Sequence, residues 1–259
     1  MSASTSALMP WRGEMPPHLP ARPGEIAPDV LVPGDPDRVP MLAALMEDVV
    51  DLGRRREFAV ATGTYRGRRL TVCSSGIGGP STEIALVELA MLGARRIVRI
   101  GGMSALVPEI APGDYLCVTR AIGDGAVPAL YGGDGAAAPG LPEALAAAAA
   151  SLGLTAHRGP VASTDSYYLG QGRPLRRGEA PPAPERLEAL RAAGALGVEM
   201  EAHTVLTVCA RLGVAAGALL GVHGNRATDA WLDDYRSTQE NLLHVAGLAL
   251  DALERGEPS

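Results

Sequence analysis

An arginine at the end of an apolar run is the first residue of this chain whose position suggests chemistry. Residues 97–100 predict a buried strand that carries Arg99. Gly101 and Gly102 follow, and paired glycines let a backbone turn sharply. A guanidinium is costly to bury without an anionic partner. Arg99 therefore indicates either a pocket for an anionic ligand or a structural salt bridge to one of the chain's own carboxylates.

A second candidate for anion binding is the segment from Gly34 to Arg38. It follows a predicted strand at residues 29–33 and combines a glycine turn with an arginine at the start of a predicted helix. Backbone N–H groups and a guanidinium in this arrangement can grip an anion. An ordinary strand-to-helix turn, with Asp35 or Asp37 as the N-cap residue, would have the same sequence.

A glycine-rich loop at residues 75–81 lies between a predicted strand and a predicted helix at residues 82–93. This order predicts one α/β unit with its loop at the rim of a pocket. The glycines lack the GxGxxG spacing, and no acidic residue follows at the distance that a dinucleotide-binding fold requires. The loop is therefore weak evidence for NAD.

The elements that must position these groups alternate between strand and helix with no break in composition. At 47 % hydrophobic and 3 % aromatic residues, the 259-residue chain has an α/β character. The alternation predicts one α/β domain with a mostly parallel or mixed central sheet. Residues 1–22, rich in Pro, Ser and Ala, predict a loose N-terminal arm ahead of a folded domain at residues 23–259.

Charge and cysteine usage narrow the class of protein. A net charge of -6 argues against a surface for nucleic acid or anionic membranes, although a few local arginines suffice for a small anion. The cysteines lie in apolar segments without metal-ligand spacing, which indicates a reducing compartment. No run of about 18 apolar residues occurs, and the N-terminus lacks the apolar segment of a secretory signal. We expect a cytoplasmic globular protein.

Five motifs occur in order, and together they resemble the nucleoside phosphorylase family in its uridine-phosphorylase-like branch. They are Gly34–Arg38, Ser75–Ser81, Arg99–Gly101, Ser163–Arg173 and Val198–Glu201. The resemblance runs from about His18 to Leu250. It implies a nucleoside phosphorylase-like catalytic domain: a single α/β domain with a central mixed, partly barrel-like β-sheet flanked by helices. It also implies a homodimer or hexamer whose active sites are shared between subunits.

The resemblance assigns two sets of contacts. The phosphate ligands would be Gly34, Arg38, Arg99 and, reaching the neighbouring subunit, Arg56. The ribose contacts would be Met200, Glu201 and, lent to the partner's 5′-hydroxyl, His18. Glu201 would accept hydrogen bonds from the 2′- and 3′-hydroxyls. For the two glutamates near this position, Glu199 and Glu201, the alternative is the ordinary preference of carboxylates for a helix N-terminus.

The resemblance also bears on small-molecule partners. Inorganic phosphate would be the co-substrate, and no cofactor would be required. Some members bind a potassium ion between subunits, and the matching positions here are Glu57, Ile77 and Ser81. Directly after the Arg99–Gly101 segment, the family normally has two small polar residues, the first of which donates to phosphate. This chain has Gly102, Met103 and Ser104, so we expect the Met103 thioether near the sugar or the anion.

The choice of base follows from hydrogen-bonding chemistry. Uracil presents an N3–H donor between two carbonyl acceptors. The amide of Gln171 can accept from N3–H and donate to one carbonyl, and Arg173 can donate to the other. Cytosine would leave a buried donor unpaired, at a cost of about 1–3 kcal/mol. Tyr167, in the same loop, is a further expected base contact.

The purine branch has an aspartate after its last strand, and residues 222–226 contain none. A histidine there, His223, would contact a base or pack within the loop. We therefore expect reversible phosphorolysis of uridine or a modified uridine, giving free base and ribose 1-phosphate in pyrimidine salvage. Positioning and electrostatics would carry the reaction without a covalent intermediate. The alternatives are a nucleosidase that uses water and a catalytically weak nucleoside- or nucleotide-binding protein.

Overall fold

The computed structural model describes residues 6–182 and 184–256, in which strands and helices alternate as expected. The strands are β1 Asp29–Val32, β2 Glu47–Arg55, β3 Phe58–Tyr65, β4 Arg68–Cys73, β5 Arg96–Ala105, β6 Tyr115–Gly123, β7 Ala156–Ser163, β8 Gly197–Glu199, β9 Ala215–Asn225 and β10 Ala230–Trp231. The helices are α1 Arg38–Ala43, α2 Gly79–Met91, α3 Ala126–Tyr131, α4 Leu141–Ser151, α5 Glu185–Ala192, α6 Ala202–Leu212 and α7 Arg236–Arg255.

All of these strands belong to one mixed sheet, in the order β10-β9-β6-β7-β8-β5-β1-β4-β3-β2. Strand β5 also pairs with β9, so β9, β6, β7, β8 and β5 close into a five-stranded barrel. Helices α2 and α6 pack against each other on one side of the sheet and α4 and α7 on the other, each pair over its own apolar cluster. The expected fold class, a mixed and partly barrel-like sheet flanked by helices, is confirmed.

Three neighbouring parallel strands, β1, β5 and β9, position the candidate anion site. Strand β5 lies between β1 and β9, where Arg99 pairs with Val32 on one side and Ala218 on the other. Because parallel strands present their carboxyl ends at one edge, the Gly34 loop, Arg99 and the end of β9 meet there. Ligands of open α/β sheets bind at this edge.

Two local predictions were wrong. The glycines Gly101 and Gly102 do not turn the chain, because both are paired with β9 and β5 continues to Ala105. The sequence after Gly197 predicts a helix that starts at residues 197–201 and runs through Leu212, but these residues do not begin one. Gly197 to Glu199 form β8, which completes the barrel between β5 and β7, and α6 starts at Ala202. Both errors arise from long-range strand pairing that overrides local preference.

The N-terminal segment is attached to the domain over residues 18–21. The backbone N–H groups of His18 and Leu19 donate to the carboxylate of Glu88 on α2, and Leu19 and Ala21 are buried. Residues 1–5 of the expected arm lie outside the described residues. Among those that are described, no helix combines the length and apolar character needed to cross a membrane.

Candidate active site

A cavity of about 680 Å³ opens at the carboxyl edge of the sheet, a typical size for a small-molecule site. Most of the site residues expected from the sequence line this cavity. From the expected phosphate and ribose sets it is lined by Gly34, Arg38, Arg99, Met200 and Glu201. From the expected base and cation sets it is lined by Tyr167, Gln171, Arg173, Glu57, Ile77 and Ser81. His18 and Arg56 are not among its lining residues.

Arg99 is the buried centre of this cavity, with only 3 % of its surface exposed. Its Nε donates to Glu199 at 2.8 Å, and its Nη2 forms an ion pair with Glu201. Burial opposes the charge, but the two carboxylates together outweigh burial and raise the pKa of Arg99. The salt bridge and the pocket foreseen as alternatives for this arginine therefore occur together.

One nitrogen of the same guanidinium, Nη1, is buried and has no hydrogen-bond partner among the described residues. An unsatisfied buried donor costs about 1–3 kcal/mol, and more when the group is charged. Because Arg99 lines the cavity, an oxygen of a bound anion would satisfy Nη1. This orphaned donor is the strongest single indication of an anion site.

Gly101 lies against the guanidinium of Arg99, which occupies the space that a side chain at position 101 would need. A Cβ at this position would lie 2.9 Å from Nη2 of Arg99, closer than real Cβ atoms approach, and 3.1 Å from Cζ, which is also tight. The glycine is therefore required for the close approach of the guanidinium and the strand. The sequence showed the glycine but suggested the wrong reason for it, a turn.

Glu199 positions Arg99, a role that the sequence analysis did not assign to it. Its carboxylate accepts hydrogen bonds from the backbone N–H groups of Glu201 and Ala202, at 2.9 and 3.0 Å, and from the Ser163 hydroxyl. It thereby stabilises the start of α6 and fixes the Nε side of the guanidinium. The available signal was a carboxylate just ahead of a helix.

Glu201 lies on the other side of Arg99. Its Oε1 accepts from the backbone N–H of Gly78 at 2.7 Å, which connects the glycine-rich loop to the site. Burial raises the pKa of Glu201, and the nearby charge of Glu199 acts in the same direction, while Arg99 opposes both. A buried carboxylate whose second oxygen meets an arginine is well placed to accept hydrogen bonds from ligand hydroxyls.

Arg38 and Gly34 also line the cavity. Burial lowers the pKa of Arg38, and the positive charge of Arg99 adds to this, although an arginine remains charged near neutral pH. A Cβ at Gly34 would lie 3.3 Å from the carbonyl oxygen of Gly76, so the two loops approach each other closely. Two neighbouring guanidiniums that repel each other favour an anion between them.

The expected base contacts lie next to one another at the far end of the cavity. Arg173 Nη1 donates to Gln171 Oε1 at 2.5 Å and to the Tyr167 carbonyl at 3.0 Å, and its guanidinium stacks 3.9 Å from the Tyr167 ring centre. The Gln171 amide nitrogen donates to Thr164 Oγ1 at 3.0 Å. This arrangement fixes one amide and one guanidinium at one end of the site.

Arg226, which the sequence analysis did not assign, holds the loop that contains Gln171 and Gly172. Its two terminal nitrogens donate to the carbonyls of Gln171 and Gly172, at 2.9 and 3.1 Å. Trp231, on β10, is a further unassigned residue that lines the cavity. The polar residues that end the apolar segment of β9 were the available signal for Arg226. The signal for Trp231 was an aromatic residue in a chain with few aromatic residues.

The remaining expected residues lie around the β2–β3 turn. Ser81 donates to the Glu57 carboxylate at 3.0 Å, and Ile77 is exposed nearby in the glycine-rich loop. Arg56 is exposed in the turn. Phe58 follows Arg56 by two residues, and the His18 ring contacts the Phe58 ring edge-on, with ring centres 6.1 Å apart. His18 Nδ1 is held by Glu88 at 2.7 Å.

Met103, whose thioether was expected near the sugar or the anion, packs mainly against the neighbouring strand β8. Met103 is buried, and a Cβ at Gly197 would lie 2.5 Å from its sulfur. The thioether therefore occupies space that Gly197 leaves open on β8, although it still borders the cavity. A glycine in one strand thus accommodates a large residue in its neighbour.

Comparison with known proteins finds one family among the matching family model and the similar relatives described here. A family model described as the phosphorylase superfamily matches residues 28–254. The chain is 40 % identical to a uridine phosphorylase of Thermococcus kodakarensis, over 82 % of this chain and 78 % of the relative. It is 38 % identical to uridine phosphorylases of Salmonella typhimurium and Escherichia coli, over 87 % of this chain and 90 % of each relative.

Proposed function

The chain belongs to the phosphorylase superfamily, and on that premise we propose that it is a pentosyltransferase that cleaves uridine, or a modified uridine, with inorganic phosphate. The products are the free base and ribose 1-phosphate. The observation that carries this proposal is the buried Arg99 guanidinium, which is held by two carboxylates and still has one N–H group without a partner among the described residues. Its position beside Arg38 supplies a site for the attacking anion.

The chemistry follows from the placement of three groups. Arg99 and Arg38 hold phosphate, and Glu201 accepts hydrogen bonds from the ribose hydroxyls, so that a phosphate oxygen faces C1′. A bond forms between that oxygen and C1′ while the C1′–N1 bond breaks, and its electron pair remains on the uracil. Gln171 and Arg173 stabilise the charge that develops there. Such positioning and electrostatic stabilisation account for the largest part of many enzymatic rate enhancements.

Incubation of the protein with uridine, with and without phosphate, tests the proposal against its two rivals. Release of uracil that requires phosphate supports phosphorolysis. Equal release without phosphate would show a nucleosidase, and binding of uridine without turnover would show a binding protein. The presence of both Arg38 and Arg99 in one cavity favours the first outcome, because water as nucleophile needs no cationic site.

The change of Arg173 to alanine is expected to lower kcat/KM for uridine about 30-fold, through loss of one charge-assisted hydrogen bond to the base worth about 2 kcal/mol. The effect on stability should be small, because the guanidinium packs on the Tyr167 ring and pairs within its own loop. Steady-state kinetics and thermal unfolding measure the two effects. Unchanged turnover would refute the assignment of Arg173 to the base.

The proposed active assembly is a homodimer, or a hexamer built from such dimers, in which Arg56 and His18 serve the neighbouring subunit. Neither lines the cavity of its own chain; Arg56 is exposed in the turn between β2 and β3, and the His18 ring lies 6.1 Å from the ring of Phe58. Their chemistry, a guanidinium and an imidazole, suits a phosphate and a ribose hydroxyl. Sedimentation should give a mass of at least two chains, and a monomeric active enzyme would contradict the proposal.

We also propose a potassium site between subunits, formed by Glu57, Ser81 and the backbone of Ile77. The Glu57 and Ser81 oxygens lie 3.0 Å apart, and hard cations take such oxygen ligands. Replacement of potassium by choline at constant ionic strength should lower the thermal midpoint of the wild type and leave a Glu57→Gln variant unaffected. Equal responses in both proteins would argue against the site.

We place the activity in the cytoplasm, in pyrimidine salvage.

A further inference from the structure

The first residue after the Arg99–Gly101 segment, Gly102, has no side chain to offer a ligand, and another residue occupies the space above it. A Cβ at Gly102 would lie 2.5 Å from Nδ1 and 3.1 Å from Nε2 of His223. The imidazole, which comes from β9, therefore lies where a side chain at position 102 would be. Both residues line the cavity.

The His223 ring is held on two sides. It stacks on Tyr235, with ring centres 4.5 Å apart and planes inclined by 23°. Its Nε2 is paired with the side-chain nitrogen of the buried Gln239. An amide nitrogen can only donate, so Nε2 is the acceptor and the neutral ring carries its hydrogen on Nδ1. This assignment follows from the amide orientation in the structure.

The remaining nitrogen, Nδ1, forms no hydrogen bond with any other residue that the structure describes. Burial lowers the pKa of His223 to about 4, with the positive charge of Arg38 acting in the same direction. The ring is therefore neutral at pH 7, and its free N–H lies beside Gly102 at the end of the cavity that contains Arg38. A neutral donor in a cavity that also contains Arg38 and Arg99 adds a directed hydrogen bond without further charge repulsion.

We propose that His223 is a phosphate ligand, donating its Nδ1 hydrogen to an oxygen of the co-substrate from the place that a side chain at position 102 would otherwise occupy. The inference rests on the proposed phosphorolysis for the identity of the anion. It assigns to His223 a role at the phosphate end of the site, distinct from base contact or loop packing. Gly102 and His223 act as a pair: Gly102 has no side chain, and the imidazole of His223 occupies the space where that side chain would be.

Calorimetric titration of inorganic phosphate into three full-length variants tests this directly. In His223→Asn the amide nitrogen can occupy the place of Nδ1, whereas in His223→Gln it reaches the place of Nε2. We expect Asn to keep the phosphate Kd within about threefold of wild type. Gln and His223→Ala should weaken phosphate binding about tenfold, the effect of one lost hydrogen bond. The KM for uridine should change by less than about threefold in all three, since the lost hydrogen bond is to phosphate.

Two further results bear on the pair. Introduction of Gly102→Ser into His223→Ala places a hydroxyl in the vacated space and should restore much of the phosphate affinity. Equal phosphate affinity in all three single variants, or equal loss in Asn and Gln, would overturn the assignment of Nδ1. Because phosphate binding is measured without turnover, failure of uridine cleavage would refute the proposed function separately.

Discussion

Replacement of Arg99 by alanine is expected to lower kcat/KM for phosphate about 10³-fold, because it removes a preorganised donor worth about 2.7–4 kcal/mol together with a positive charge at the anion site. The same change leaves Glu199 and Glu201 without their shared partner. Breaking a buried ion pair destabilises a fold by about 3–5 kcal/mol. Kinetics at saturating uridine and denaturant unfolding measure the two consequences.

Arg96 provides a matched control on the same strand. It too is an arginine paired with a buried carboxylate, Asp29 at 2.7 Å, but it does not line the cavity. Arg96→Ala should destabilise the protein and leave kcat/KM within about threefold, as expected for a residue remote from the reaction. Arg99→Lys, which keeps a charge but loses the paired geometry, should fall between wild type and alanine. Equal kinetic losses in Arg96→Ala and Arg99→Ala would show that the effect is structural.

Glu201→Gln is expected to lower kcat/KM for uridine by at least about 10²-fold. Two hydrogen bonds from ribose hydroxyls to a carboxylate are worth about 1.5–3 kcal/mol each, and an amide oxygen replaces them poorly. The carbonyl oxygen of the introduced amide can still accept from the Gly78 N–H, so the loop contact survives. Steady-state kinetics with uridine and with 2′-deoxyuridine measure the loss.

The deoxy substrate serves as the control for this variant. If Glu201 contacts the 2′-hydroxyl, the preference of wild type for uridine over 2′-deoxyuridine should shrink in Glu201→Gln. The pH profile gives an independent check. Because the pKa of Glu201 is raised, the active carboxylate is lost on the acid side at a pH above that of an ordinary glutamate. The acid limb should be absent from Glu201→Gln, and its persistence would assign it to another group.

The sequence predicted the fold where local pattern and motif order agree. The apolar run at residues 97–100 predicted β5, and the family resemblance of the five ordered motifs implied the mixed, partly barrel-like sheet that the structure contains. It failed where pairing with a distant strand decides the local structure. Gly101 and Gly102 remain in a strand because β9 pairs with them, and residues 197–199 form β8 because β5 and β7 flank them.

The candidate site shows the same division. Residue type and motif position identified the groups that could bind phosphate, ribose and base, and the structure gathers eleven of the expected site residues in one cavity. The sequence did not reveal which residues hold them. Glu199 supports Arg99, and His223 fills the space above Gly102, through contacts between distant segments. Such contacts depend on how strands are brought together, which local patterns do not encode.

Transfer of label from phosphate tests the central claim most directly. Uridine is incubated with the protein and phosphate that carries ¹⁸O at every oxygen, and the sugar product is analysed by mass spectrometry. Phosphorolysis at the Arg99 site predicts uracil and ribose 1-phosphate that retains all of the labelled oxygens, since a phosphate oxygen forms the new bond to C1′. Unlabelled free ribose, formed at the same rate with or without phosphate, would contradict the account.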